Sequence, residues 1–241
     1  MSSEENLSNR SLVPSTTREL VTRSSSLAKR GLELAESELN RQEAEGYFNR
    51  GKKNANLATA TREKHQEAIQ DFTKAIHLNP KYVEAYQSRA ISYMVLEKTK
   101  KAIQDCTKAI HLNPQDSFSY ILRALIYRES GRHLRAIQDF TQGIEVDSKA
   151  PITIEGYLGR AGAYYRLGKY QEAIQDYSRA IEINPKYKSA LPYRERGDVH
   201  LALGNYQEAI QDYSQRIKFE PEDHAAQLWL AVLIHYASSK D

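Results

Sequence analysis

Cys106 is the only thiol among the 241 residues, and a thiolate is the strongest nucleophile that a side chain supplies, so it is the first candidate for covalent or redox chemistry. His77 and His111 follow, each in a copy of His-Leu-Asn-Pro. A metal site built from them requires the two to converge from separate copies of that segment. Glu222 and Asp223 are adjacent carboxylates, a general acid–base pair in principle and helix N-terminal charges by position. The sequence has no phosphate-cradling Gly loop, no Gly-x-Ser-x-Gly and no His-Glu-x-x-His. Chemistry-bearing residues are few and scattered, and the elements that carry them decide their meaning.

Those elements repeat. Ala-Ile-Gln-Asp begins at Ala68, Ala102, Ala136, Ala173 and Ala209, at intervals of 34, 34, 37 and 36 residues. Self-similarity at this period marks a solenoid of one supersecondary unit. A second segment recurs before each copy, namely an aromatic, two variable residues, Arg and a small residue: Tyr47–Gly51, Tyr86–Ala90, Tyr120–Ala124, Tyr157–Ala161 and Tyr193–Gly197. A Tyr follows three residues later at Tyr93, Tyr127 and Tyr164, with His200 in the fifth unit. Spacings of three and four place these residues on one helical face. The Ala-Ile-Gln-Asp segment repeats Ala, an aromatic four later and a small residue three after that, again one face of a helix. Small residues on both faces let the helix axes approach closely. Its Gln and Asp read as the polar outer side. Proline at Pro80, Pro114, Pro185 and Pro221 ends the second helix, and Gly131, Gly168 and Gly204 mark the turn inside the hairpin.

This pattern resembles the tetratricopeptide repeat family over about Ala44 to Pro221. The resemblance implies an all-α fold, a right-handed α-solenoid of five helix pairs with an N-terminal helix and a C-terminal capping helix. The expected division is a disordered tail over 1–15, an N-terminal helix over 16–42, repeats over 43–80, 81–114, 115–148, 149–185 and 186–221, and a capping helix with tail over 222–241. Departures are local: about five extra residues in repeat one between Asn54 and Glu63, Ser148 for proline, Gly143 and Arg216 for alanine, and short insertions before repeats four and five. Cys106 takes the slot of Phe72, Phe140, Tyr177 and Tyr213 and reads as a small buried hydrophobe. If the missing ring leaves a void, Cys106→Phe raises the melting temperature. His200, in a Tyr slot, reads as a hydrogen-bonded core group.

The resemblance further implies a non-catalytic protein–protein interaction scaffold that binds a peptide or partner helix in a concave groove lined by the first helices. Carried onto this chain, the groove residues are Gln87, Ile91, Met94, Phe118, Ile121, Leu125, Arg128, Leu158, Tyr165, Arg166, Leu191, Arg194, Asp198 and Leu201. An apolar middle with Arg128, Arg166 and Arg194 around it suits a peptide with apolar anchors and some acidic character. A subset of the family grips a C-terminal carboxylate. The corresponding positions hold Phe48, Lys52, Ser88, Phe118 and Leu122 here, which disfavours that mode.

The two ends of the array carry further signals. Over Arg18–Arg41, Ala28, Leu32 and Ala35 mimic the Ala-aromatic-Ala spacing of a second helix. The segment reads as a degenerate cap, or as a helix that occupies the groove or a partner. At the C-terminus Trp229, Val232, Leu233 and Tyr236 reproduce a first-helix face, with Leu228, Leu230 and Ile234 apolar as well. A helix apolar all round is normally buried, so Leu228, Leu230 and Ile234 form a candidate self-association surface. The alternative function is thus a structural assembly factor or chaperone-like protein acting through this helix, with a homodimer among its forms.

Composition is consistent with these readings. The formal net charge of +3 is small for the length, which argues against nucleic acid as a partner. One groove position holds Gln87, Ile121, Leu158 and Arg194 in successive repeats, which is no base-reading code. No apolar run approaches a membrane span, the first ten residues lack a signal-peptide pattern, and a lone cysteine suits a reducing compartment. The expectation is a cytoplasmic protein without cofactor, metal or membrane insertion.

Overall fold

The computed structural model describes residues 15–56, 60–188 and 190–239. Among the described residues there are eleven α-helices and no strand: α1 (Ser15–Asn54), α2 (Arg62–Leu78), α3 (Val83–Val95), α4 (Thr99–Leu112), α5 (Ser117–Glu129), α6 (His133–Val146), α7 (Thr153–Arg166), α8 (Tyr170–Ile183), α9 (Leu191–Ala202), α10 (Tyr206–Phe219) and α11 (His224–Ser238). Each helix packs on the next, and α5 also meets α3 and α7. This nearest-neighbour stacking is that of an all-α solenoid. The tail expected over 1–15 lies outside the described residues except for Ser15, which opens α1.

Two kinds of turn set the pitch. Within the hairpins of repeats three, four and five a residue in the left-handed region follows the first helix, at Gly131 (φ 73°), Gly168 (φ 71°) and Gly204 (φ 75°). The next N–H then reaches back to close the helix, as in Arg132 N donating to Tyr127 O at 2.8 Å. Repeat two makes the same turn with Glu97 at φ 60°, and Lys98 N donates to Tyr93 O at 2.8 Å. A side chain there costs about 1 kcal/mol relative to glycine. The contact of Glu97 with Arg62 is 3.9 Å between exposed groups and offsets little of it. Glu97→Gly is therefore expected to raise the thermal midpoint by ~2–4 °C, measured by circular dichroism. Between hairpins, Asn79, Asn113 and Asn184 accept from the N–H two residues on, at 3.1, 3.2 and 3.1 Å. Asp147 does the same at 3.0 Å where Ser148 stands in for proline, so the Asx turn survives that departure.

The Asp of each Ala-Ile-Gln-Asp segment faces inward, contrary to the outward reading. Gln70, Gln104, Gln138, Gln175 and Gln211 are exposed, while Asp71, Asp105, Asp139, Asp176 and Asp212 are buried. Each carboxylate is held by both arms of the Arg in the first-helix motif: Arg89–Asp105 at 2.8 and 2.8 Å, Arg123–Asp139 at 2.6 and 2.8 Å, Arg160–Asp176 at 2.7 and 2.8 Å, and Arg196–Asp212 at 2.9 and 2.6 Å. In repeat one Arg50 grips Asp71 across 21 residues instead of 16, and the difference of five is the inserted loop. The third arm reaches the previous repeat: Arg89 Nη1 donates to Thr73 at 3.0 Å, Arg123 to Thr107 at 3.0 Å, Arg160 to Thr141 at 2.9 Å and Arg196 to Ser178 at 2.8 Å. One guanidinium thus closes its own hairpin and bonds it to the hairpin before, with the planar donor set that Lys lacks.

Cys106 is fully buried in a cluster with Ala90, Ala102, Leu122 and Ile126. Burial, with the Asp105 carboxylate adding to it, pushes the thiol up to about 12. Iodoacetamide is therefore expected to leave the native chain unmodified at pH 8 and to alkylate Cys106 only in denaturant; fast native labelling, read by mass spectrometry, would contradict this burial. His200 Nε2 lies 4.0 Å from Asp212 Oδ2, while its buried Nδ1 has no hydrogen-bond partner among the described residues. The 4.0 Å separation is too long for a hydrogen bond, so His200 is a half-buried ring near a carboxylate and not the hydrogen-bonded core group its slot suggested. His77 and His111 are exposed on α2 and α4.

The ends depart most from the expected division. α1 runs without a break through residues 42 and 43, where a boundary between the N-terminal helix and repeat one was expected. Its first buried residue among those whose exposure is described is Ala44, and residues 28–43 are all exposed. Leu32, Leu34 and Leu39 point into solvent. None of residues 28–43 lines the groove, and Glu33, Glu36, Ser37 and Asn40 share a recess with Leu78 and Asn79 at the end of α2. At the other end Arg216, which replaces alanine, ties down α11: its Nη2 donates to Asp223 Oδ2 at 2.6 Å, and Asp223 caps the helix by accepting from Ala226 N at 2.9 Å. α11 packs on α10 through Leu230, Leu233 and the Ala209–Tyr213 cluster. Leu230 accordingly leaves the proposed self-association face, while Leu228 and Ile234 remain exposed on it.

Candidate functional site

The first helices α5, α7 and α9 and the turn between α8 and α9 enclose an open groove of about 800 Å³. Seven of the residues placed there by repeat position meet in it: Arg128, Leu158, Tyr165, Arg166, Leu191, Arg194 and Asp198. Leu201 joins Tyr165 and Asp198 in an adjoining recess. Two absences of side chain open the space. Gly162 leaves room between Tyr177 Oη and Arg128, whose atoms lie 3.8 and 3.9 Å from where its Cβ would sit. Gly131 sits at the groove edge in its left-handed turn.

The expected apolar middle is reduced to Leu158, Tyr165 and Leu191. Ile121 is fully buried: its side chain drives into the place that a Cβ on Gly143 would occupy, with Cγ1 2.8 Å from that point. The loss of alanine at 143 and the gain of isoleucine at 121 are one packing event, invisible to a position-by-position reading. Leu158 is 8% exposed and belongs to the cluster of Ile154, Ala161, Tyr177 and Val199, so it forms the floor of the groove and presents little surface. Gln87 is buried as well, its amide donating to Asp116 at 2.6 Å and to Ser119 at 2.9 Å. Ile91, Met94, Phe118 and Leu125 are half-buried against the cores of repeats two and three and do not line the groove.

What lines it instead is charge. Lys188 Nζ donates to Glu155 Oε1 at 2.6 Å, and Tyr187 Oη donates to the same oxygen at 2.5 Å. Desolvation alone would raise the Glu155 carboxyl; the hydrogen bonds from Lys188 and Tyr187 outweigh it and hold the group below its usual range. Arg128 pairs with Glu129 at 2.9 Å, and Arg194 with Glu195. Asp198 accepts from Tyr213 Oη at 2.5 Å. Tyr177, which donates to Glu195 at 3.5 Å, is pushed well up by burial. Arg166 is exposed and is the one lining Arg or Lys with no carboxylate partner among the described residues. Lys188, with Tyr187, comes from the two-residue insertion region before repeat five and holds a left-handed conformation at φ 44°. Repeat positions gave it no place, and the inserted length itself was the only signal of it.

The chain matches tetratricopeptide repeat family models over residues 83–116 and 154–187, over 106–138 and over 194–237. No curated protein matches it. Among solved structures it is similar to PilF of Pseudomonas aeruginosa, at 17% identity over 75% of this chain and 78% of that one with a TM-score of 0.65. It is also similar to MamA, at 19% identity over 75% and 93% with a TM-score of 0.62. A third neighbour is YrrB, described as a TPR protein with an unusual peptide-binding site, at 17% identity over 83% and 95% with a TM-score of 0.59. At these identities the likeness is one of fold.

Proposed function

The chain belongs to the tetratricopeptide repeat family, and on that premise we propose that it is a non-catalytic protein-interaction scaffold whose α5–α7–α9 groove takes an acidic peptide segment. Repeats of this family serve protein–protein interaction in general, and YrrB is a neighbour in fold with a peptide site. The observation that carries the acidic preference is Arg166. The other lining Arg and Lys groups are neutralised in place, which leaves one guanidinium to be matched by an incoming carboxylate. The Glu155–Lys188–Tyr187 clasp keeps the wall of the groove formed before binding, so little ordering is lost on association. Selection from a displayed peptide library is expected to enrich sequences bearing Asp or Glu. Arg166→Glu should weaken the selected peptide by about tenfold or more, which is ~1.4 kcal/mol, measured by calorimetry at two salt concentrations. Equal affinity for the variant would remove the groove from the function.

One observation favours a second role in assembly: Leu228, Trp229, Val232 and Ile234 are all exposed on α11, more apolar surface than a terminal helix ordinarily shows to water.

A further inference from the structure

The surface of repeat three departs from that of its neighbours at one point. The two residues before Ala-Ile-Gln-Asp are Gln66 and Glu67 in repeat one, Lys100 and Lys101 in repeat two, Gln171 and Glu172 in repeat four, and Gln207 and Glu208 in repeat five. In repeat three they are Leu134 and Arg135. Leu134 lies in the first turn of α6 and is 66% exposed. A single exposed leucine needs no explanation, but this one shares an open recess of about 560 Å³ with Leu167, itself 39% exposed. The rest of the lining is Gly131, Arg132, His133 and Arg135, and it contains no carboxylate. Arg132 and Arg135 stand 6.0 and 5.9 Å from the centre of the Tyr127 ring, a cation–π contact that keeps both guanidinia beside the leucines. Neither Arg is in an ion pair among the described residues.

The recess is continuous with the groove. Gly131 and His133 line both. Gly131 keeps the crossing open, since nothing stands within 4 Å of where its Cβ would point. Apolar surface beside unpaired cations matches a segment that carries carboxylates next to an apolar side chain. Resting on the peptide reading of the groove above, we propose that its ligand is a two-part segment of a partner protein. Acidic residues meet Arg166 in the groove, and one leucine-like side chain with carboxylates beside it sits on Leu134 and Leu167. The backbone between the two parts passes over Gly131, and Arg132 and Arg135 face the outer carboxylates. Leu134 thereby selects among acidic segments, which Arg166 alone does not.

The test is selection from a displayed random-peptide library on the full chain as wild type, Leu134→Gln and Arg166→Glu. Gln already stands at this place in repeats one, four and five, so Leu134→Gln is expected to keep the helix content, checked by circular dichroism. Wild type is expected to enrich peptides with Asp or Glu around one Leu, Ile or Phe. Leu134→Gln should still enrich acidic peptides and lose the apolar position. A synthetic peptide from the wild-type pool, and the same peptide with its apolar residue replaced by Ala, are then titrated by calorimetry. The replacement should weaken binding to wild type by about fivefold or more, the effect of one partly buried aliphatic contact, and leave binding to Leu134→Gln unchanged. A wild type that enriches no acidic peptide, or a peptide bound equally by Arg166→Glu, overturns the groove reading itself. An acidic pool without an apolar position, an apolar position that Leu134→Gln still selects, or an Ala replacement that costs both chains equally overturns the two-part ligand and leaves the acidic groove standing.

Discussion

Asp105→Ala is expected to destabilise the array by about 3–5 kcal/mol, because it strands a buried guanidinium. Arg89 has 15% of its side chain exposed and Asp105 has 9%, so water replaces little of what is lost. Both arms of the Arg89 fork lose their acceptor at once, and only the 3.0 Å bond to Thr73 remains. The loss is a large part of the ~5–15 kcal/mol that holds a typical domain folded. Replacing both residues, as Arg89→Leu/Asp105→Leu, removes the stranded charge and should recover most of it, since an apolar pair of similar volume often matches a buried ion pair. Urea unfolding of wild type, the single and the double variant decides. A single variant as stable as the double would mean that the pair contributes by packing alone. The internal position matters too: Arg89 joins repeat two to repeat one, so the single variant should also broaden the transition as neighbouring repeats uncouple.

Gly159→Ala is expected to cost about 1–3 kcal/mol by overpacking. A Cβ there falls 2.2 Å from Phe140 Cζ and 2.5 Å from Cε1, and Phe140 is fully buried with no free side to move into. The same place in the repeat, two residues before the small slot, is Leu122 in α5, and Leu122 belongs to the buried cluster around Cys106. Large on one helix therefore meets small on the next: Phe140 with Gly159, Cys106 with Leu122. The expectation that Cys106→Phe would fill a void and raise the melting temperature is reversed by this geometry. Leu122 already takes the volume, so Cys106→Phe should lower stability by a similar amount, and Leu122→Ala in the same chain should return part of it. Thermal unfolding of the four chains gives the coupling directly. Additive losses would show that the two residues do not share space.

Much of the scaffold was legible in the sequence because a repeat states the same packing problem five times. The aromatic, small and Ala slots, the Asx turns at Asn-Pro and the left-handed Gly turns are local solutions, fixed by spacing and backbone preference. Glu97 shows the limit of reading composition alone: its turn is the one the glycines make, recognisable by place and not by residue type. The candidate site was less legible. Arg128, Arg166 and Arg194 were found because first-helix positions face the groove in every unit. Ile121 was misplaced because whether a residue at such a position faces solvent or core depends on its neighbour across the helix pair. Gly143 decides this for Ile121. Lys188 was missed because an insertion has no repeat position.

The sequence by itself determined the architecture and the register of each helix pair, since these follow from periodicity and residue type within a few dozen residues. Only the tertiary structure decided that the Asp of each second helix turns inward onto an Arg, that the groove is lined by paired charges with Arg166 left over, and that α1 projects as one helix past the array. Those outcomes rest on volumes and charges meeting between different helices. No single segment contains that information, because burial and pairing are properties of two surfaces in contact.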